Sequence, residues 1–157
     1  FGNPEGGESV MREAAQIAQA EEFIEEKKKK YQSHIAQGGS NVSGGQKQRL
    51  SIARAIAKHP ELFIFDDSFS ALDYKTDVAL RKALKKKTQD STVLIVAQRI
   101  STILHAEQII VLDEGKIAGI GTHRELLENC EVYRQIAASQ LSESELSSSG
   151  KEAKANA

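Results

Sequence analysis

Val42-Ser43-Gly44-Gly45-Gln46, then Leu62-Phe63-Ile64-Phe65-Asp66-Asp67, then Ser70-Ala71-Leu72-Asp73: the order and spacing of these three segments decide how the chain is read. Ser43 followed three residues later by Gln46 is a capping-box pattern, in which the hydroxyl accepts a first-turn N–H and the amide reaches back. The same helix start, with bare N–H groups and glycines that permit close approach, has the character of an anion site. Both readings use one geometry. Downstream, Leu50, Ala53 and Ala57 share a side with Ile52 and Ile56 beside them, which leaves Lys47, Arg49 and Arg54 for the outer face. Pro60 ends that helix. Leu62 to Phe65 is a continuous apolar run of strand length, as expected of a parallel strand buried on both faces. Asp66 then emerges at the ligand edge of a sheet, unless it is a plain N-cap or loop carboxylate.

Upstream, residues 8 to 26 are rich in Ala and Glu and predict two short helices or one bent one. Lys27 to Lys30 read as a solvated helix end, and Tyr31 to Asn41, with Gly38-Gly39-Ser40-Asn41, as loop. Downstream, Asp73 is placed to cap a helix over Tyr74 to Lys87. Thr92 to Ala97 and Gln108 to Leu112 are apolar, β-branched strands. Asp113-Glu114-Gly115-Lys116 predicts a tight turn into Ile117 to Ile120, a hairpin expected to close the sheet. Thr122-His123-Arg124-Glu125 is a second capping box, heading one last helix to about Ala138. Residues 139 to 157 are Ser-, Glu- and Ala-rich and are expected to form a disordered tail. Alternating strands and helices predict an α/β fold with a mostly parallel sheet.

Composition narrows the class of function. The 157 residues are 39% hydrophobic and 27% charged, ordinary for a globular fold. A formal net charge of −1, 5% aromatics and no Trp provide neither a basic footprint nor a stacking platform, so nucleic acid is not an expected partner. The one cysteine, Cys130, excludes an internal disulfide framework and reads as a spectator. His34, His59, His105 and His123 read as surface or capping residues, without metal-ligand spacing. No apolar run approaches the length of a membrane span.

Taken together, the three quoted segments resemble the nucleotide-binding domain of an exporter-type ABC transporter, running from signature motif through Walker B to D-loop. The resemblance covers roughly residues 1 to 138. It implies a P-loop ATPase fold in which residues 1–42 belong to a helical subdomain and X-loop, and residues 43–138 to the signature helix and the C-terminal part of the ATPase core. No Gly-x-x-x-x-Gly-Lys-[Ser/Thr] loop is present: Gly39 to Gly44 is followed by Gly45-Gln46. The phosphate-gripping strand and loop are therefore expected upstream of Phe1. Ser33 to Gly39 occupies the place of the X-loop, with a simple loop as the alternative.

The resemblance further implies ATP and Mg²⁺ as cofactors, Ser43, Gly44, Gly45 and Gln46 as nucleotide-binding residues, Ser70 and Asp73 as D-loop residues, and Asp66 as a Mg²⁺ holder through water. Asp67 stands where the family's catalytic base is usually Glu, shorter by one methylene or roughly 1.5 Å. Gln98 stands where the switch His normally sits, and an amide can donate to phosphate but cannot become a cation. These departures resemble the degenerate subunit of heterodimeric multidrug or lipid exporters. The implied partners are a second ABC subunit, joined head-to-tail through ATP, and a transmembrane domain upstream on the same polypeptide. The implied location is the cytoplasmic face of a membrane. ATP hydrolysis is expected of the assembled transporter, not of this fragment alone. A non-transport ABC ATPase and a non-enzymatic interaction module are the alternatives.

Overall fold

The computed structural model describes residues 2–141. Its contacts divide the chain into two compact units, one ending at Val96 and the other starting at Ala97.

The first unit opens with helices α1 (Gly7–Ile17) and α2 (Glu21–Glu25), the pair expected over residues 8 to 26. Ala14 and Ala15 are buried, small enough for α1 to lie close on its neighbours. Short 3-10 turns at Lys30–Gln32 and Gln37–Gly39 punctuate the following loop. Asn41 organises that loop by accepting the Ala36 N–H at 2.9 Å and donating to the His34 carbonyl at 2.8 Å. Helix α3 (Gly44–Ala57) starts on the Ser43 capping box and buries Ile52 and Ile56. Beyond its end His59 takes a left-handed backbone (φ 48°) just before Pro60.

Strands β1 (Leu62–Asp66) and β2 (Thr92–Val96) pair in parallel, with Leu62 opposite Thr92 and Asp66 opposite Val96. Helix α4 (Tyr74–Lys87) connects them and buries Leu80 and Leu84. Phe63 and Phe65 stack at 5.8 Å and join Phe69, Ile52, Ile56 and Leu80 in the core. The expectation of burial on both faces of β1 is corrected: Leu62 is 50% and Ile64 61% exposed. The core residues lie on the phenylalanine face only, and the alternation of β side chains leaves the other face open.

Arg49 also departs from its expected outer position. It is half-buried, donates to the Gln19 carbonyl at 2.6 Å and lies 4.8 Å from the centre of the Phe23 ring. Gln19 itself has φ 55°, and the bond holds the turn between α1 and α2.

The second unit holds the short helix α5 (Ile100–Ile103), strands β3 (Ile109–Asp113) and β4 (Lys116–Gly121), and helices α6 (His123–Asn129) and α7 (Glu131–Gln140). Glu114 and Gly115 both have positive φ, 46° and 76°, the conformation of a two-residue turn matched to strand twist. The hairpin pairs with itself as a separate two-stranded sheet and does not extend the β1–β2 pair. The single helix expected after Thr122 is two helices. Cys130 interrupts it in an extended conformation (φ −122°, ψ 107°), its thiol directed at the Ala118 carbonyl at 3.7 Å. Gly119 permits this approach, since a Cβ there would stand 2.9 Å from the Cys130 sulfur.

His123 is not a surface residue. It is 7% exposed, and its Nδ1 shares a 2.7 Å hydrogen bond with the Tyr133 hydroxyl across the α6–α7 pair. Helix α7 runs to Gln140, two residues past its expected end, so Ser139 and Gln140 are helical where the tail was expected. Leu141 follows as the C-cap, and residues 142–157 of the expected tail lie outside the described residues. Among the described residues no helix is long and apolar enough to cross a membrane.

Candidate functional site

At the head of α3, Ser43 is extended (φ −68°, ψ 164°) and makes both halves of the capping box. Its hydroxyl accepts from the Gln46 N–H at 3.2 Å, and the Gln46 side-chain oxygen accepts from the Ser43 N–H at 3.1 Å. These bonds leave the Gly44 and Gly45 N–H groups without a partner inside the helix. Gly44 is exposed. The capping box uses the Ser43 and Gln46 N–H groups and engages neither of these two donors.

Gly45 has a further requirement that the sequence did not reveal. A Cβ on it would stand 2.9 Å from the Ala71 carbonyl oxygen, whereas one on Gly44 would meet nothing closer than the Ala71 Cβ at 3.8 Å. The second glycine is thus the point where α3 rests on the 67–71 turn.

Asp66 and Asp67 leave the carboxyl end of the parallel pair and are both exposed. The Asp67 backbone is left-handed (φ 46°), a conformation that Asp and Asn tolerate better than other side chains. Its N–H continues the strand ladder by donating to the Val96 carbonyl at 3.2 Å. Its carbonyl accepts the Ser70 hydroxyl at 3.1 Å. Gln48, not singled out by motif, spans the gap from α3: its Nε2 donates to the Asp67 carbonyl (3.4 Å) and Ser70 Oγ (3.2 Å), and its Oε1 accepts the Ala71 N–H (3.0 Å).

Asp73 caps α4 with both oxygens, accepting the Thr76 N–H at 3.0 Å and the Thr76 hydroxyl at 2.7 Å. These hydrogen bonds, chiefly that from the hydroxyl, with help from the Arg49 charge, hold its carboxyl below the usual aspartate range. The structure thus brings Ser43–Gln46, Asp67, Ser70 and Asp73 into one connected segment of the first unit. Gln98 belongs to the second unit, where its carbonyl accepts from Gln140 Nε2 at 2.9 Å while Gln140 Oε1 accepts the Ile100 N–H at 2.9 Å. Gln140 was missed by sequence reasoning because it falls in a polar stretch with no periodic apolar signal.

No group of three or more potential metal-ligating side chains gathers among the described residues. Asp66, exposed at a strand end beside the exposed Asp67, is a donor of the type that Mg²⁺ takes singly or in pairs together with water and phosphate oxygens.

A parallel pair with exposed carboxylates at its carboxyl end, preceded in the chain by a helix that starts on two glycines, is an arrangement that nucleotide-binding α/β domains share. Residues 4–70 match the ABC transporter family. The chain is 47% identical over 133 residues to an uncharacterized ABC transporter ATP-binding protein of Mycobacterium bovis, covering 85% of this chain and 22% of that protein. It is 40% identical over 136 residues to a putative multidrug export ATP-binding/permease protein of Bacillus subtilis, covering 87% and 23%. A solved bacterial Atm1-family ABC exporter with ATP bound superposes with a TM-score of 0.86 at 32% identity, over 91% of this chain and 25% of that one. The chain carries part of an ABC transporter ATP-binding domain of the exporter type, and spans about a quarter or less of the length of these relatives.

Proposed function

We propose that this chain works within a dimeric ABC exporter, where it presents an intact signature helix to its partner's ATP and a weakened catalytic set to its own. The observation that carries this reading is the contrast between a fully formed Ser43–Gln46 start and the residues at positions 67 and 98. The Gly44 and Gly45 N–H groups would meet the terminal phosphate bound on the opposite subunit. Asp66 would hold Mg²⁺ through water, and the ion would draw charge from the phosphate oxygens. Asp67 would accept the proton of the attacking water on a carboxylate one methylene short of the family's usual reach. Misplacement of about 1 Å can cost on the order of 100-fold in rate. Gln98 would donate to a phosphate oxygen while remaining neutral. Coupling to export would pass to a membrane domain on the same assembly, at its cytoplasmic side.

Restoring Asp67→Glu together with Gln98→His in the assembled transporter is the test. With the partner's own site disabled, single-turnover hydrolysis at this site should rise by ~10²–10⁴-fold, the usual contribution of a placed general base. Each change alone should recover little, because water and phosphate must be aligned together. An unchanged rate in the double variant refutes the weakened-site reading. In the assembled transporter with the partner's site working, Ser43→Arg, which fills the phosphate-facing helix start, should reduce turnover more than Asp67→Asn. Equal losses would make Asp67 a working base.

A further inference from the structure

We propose that Gln48 is a positioning residue for ATP turnover: it clamps the 67–71 turn to the head of α3, so that the groups offered by Asp67 and by Ser43–Gln46 move as one body. The inference rests on the reading of this chain as an ATP-hydrolysing ABC subunit. Its basis is the use of both ends of one amide. Gln48 Nε2 reaches the Asp67 carbonyl at 3.4 Å and Ser70 Oγ at 3.2 Å, while Oε1 receives the Ala71 N–H at 3.0 Å. The Ala71 bond fixes which way the amide faces, since only its oxygen can accept an N–H.

The turn needs such a hold. Asp67 sits at φ 46°, and a non-glycine residue stays in that region only where its surroundings over-determine it. Ser70 supplies a local brace through its own bond to the Asp67 carbonyl at 3.1 Å. Strand β2 holds the Asp67 N–H through the Val96 carbonyl, and Gln48 supplies the side-chain brace from α3. Beside it, Gly45 seats the helix on the Ala71 carbonyl with no room for a methyl group. One residue of the turn, Asp67, carries the carboxylate of this subunit's own site, and the helix on the other side of the clamp starts with the partner-facing residues. Movement at either is therefore transmitted to the other through one side chain.

Few residues can substitute. An ionised Glu offers only acceptors, Lys and Arg offer only donors, and Asn falls short by roughly 1.5 Å. Gln48→Met keeps length and removes every bond. In the complete transporter with its partner, Gln48→Met should lower kcat for ATP by roughly 3- to 30-fold, the range of mutations that alter coupling without touching ligand. The KM for ATP should stay at its wild-type value, because the Gln48 amide is engaged at both ends by the 67–71 turn. Ser70→Ala should cost less, and the double variant should lose less than the sum of the two single losses, since the Gln48–Ser70 bond is common to both changes.

Wild-type kcat in Gln48→Met overturns the clamp. So does a kcat loss that tracks a proportionate fall in melting temperature and adds fully to that of Ser70→Ala, the pattern of a residue that only stabilises the fold. Should Gln48→Met fail to accumulate folded, Gln48→Glu keeps the volume and the acceptor toward Ala71 and loses the donors, and wild-type kcat there overturns the clamp equally. A wild-type assembly whose ATP turnover is insensitive to Ser43→Arg would instead overturn the parent reading, and the clamp with it.

Discussion

Gly44 and Gly45 are adjacent and look interchangeable, yet only the second is pressed against backbone. Gly45→Ala places a methyl 2.9 Å from the Ala71 carbonyl, so the helix start or the turn must shift. Overpacking of this kind costs about 1–3 kcal/mol, against which better helix propensity returns about 1 kcal/mol. Gly44→Ala meets ordinary contact at 3.8 Å and gains the propensity alone. Chemical denaturation should therefore show Gly45→Ala destabilised and Gly44→Ala neutral or slightly stabilised; the reverse order would contradict the packing described for this turn. At position 67 the left-handed backbone favours Asp over Glu, so the catalytic repair should carry a small stability cost even as it raises turnover. Neither point was legible in sequence, because a glycine's neighbours and a residue's φ are set by what the chain folds against.

Elements announced by local chemistry were read correctly. Ser43 with Gln46, Asp73, and Thr122 with Glu125 mark helix starts through bonds made within three residues, and each is present. The apolar runs at Leu62 and Thr92 mark strands, but the number of faces covered depends on distant helices, and β1 is buried on one face only. The Cys130 break escaped notice because it depends on Gly119, on a separate strand. It also creates the His123–Tyr133 bond, whose pH dependence has two limbs. Burial pushes the Tyr133 hydroxyl up to about 12, so its contribution is complete below the unfolded value of about 10 and lost as pH rises from there through about 12. Burial, then the charge of His105, lowers the His123 pKa, so its contribution is complete above about 6.5 and lost as pH falls through the folded value. Tyr133→Phe should reduce the alkaline limb, to which the buried Tyr31 hydroxyl also contributes, and cost about 1–3 kcal/mol at neutral pH by stranding the imidazole. Denaturant titrations across pH check both limbs, and an unaltered alkaline limb in Tyr133→Phe would contradict the assignment.

Across the whole molecule, two apolar clusters with no shared residue form the interior. Much apolar surface stays outside. Leu62, Ile64, Val93, Leu94 and Val96 are exposed in the first unit, and Ile110, Leu112, Ile117 and Ile120 in the second. Exposed strands of this character associate with one another in water. The isolated chain should therefore show an apparent mass that rises with concentration in sedimentation, and Ile64→Lys should reduce the effect. A monomer whose melting is independent of concentration would refute this. The Cys130 thiol has a different consequence. It is the sole sulfhydryl of the chain and is 5% exposed, sealed where the hairpin meets the break between α6 and α7. A thiol-specific reagent can reach it only when that junction opens, so the rate of labelling acts as a clock for local openings of the second unit. No probe need be engineered, because the fold already conceals one reactive atom at the place whose breathing it would time.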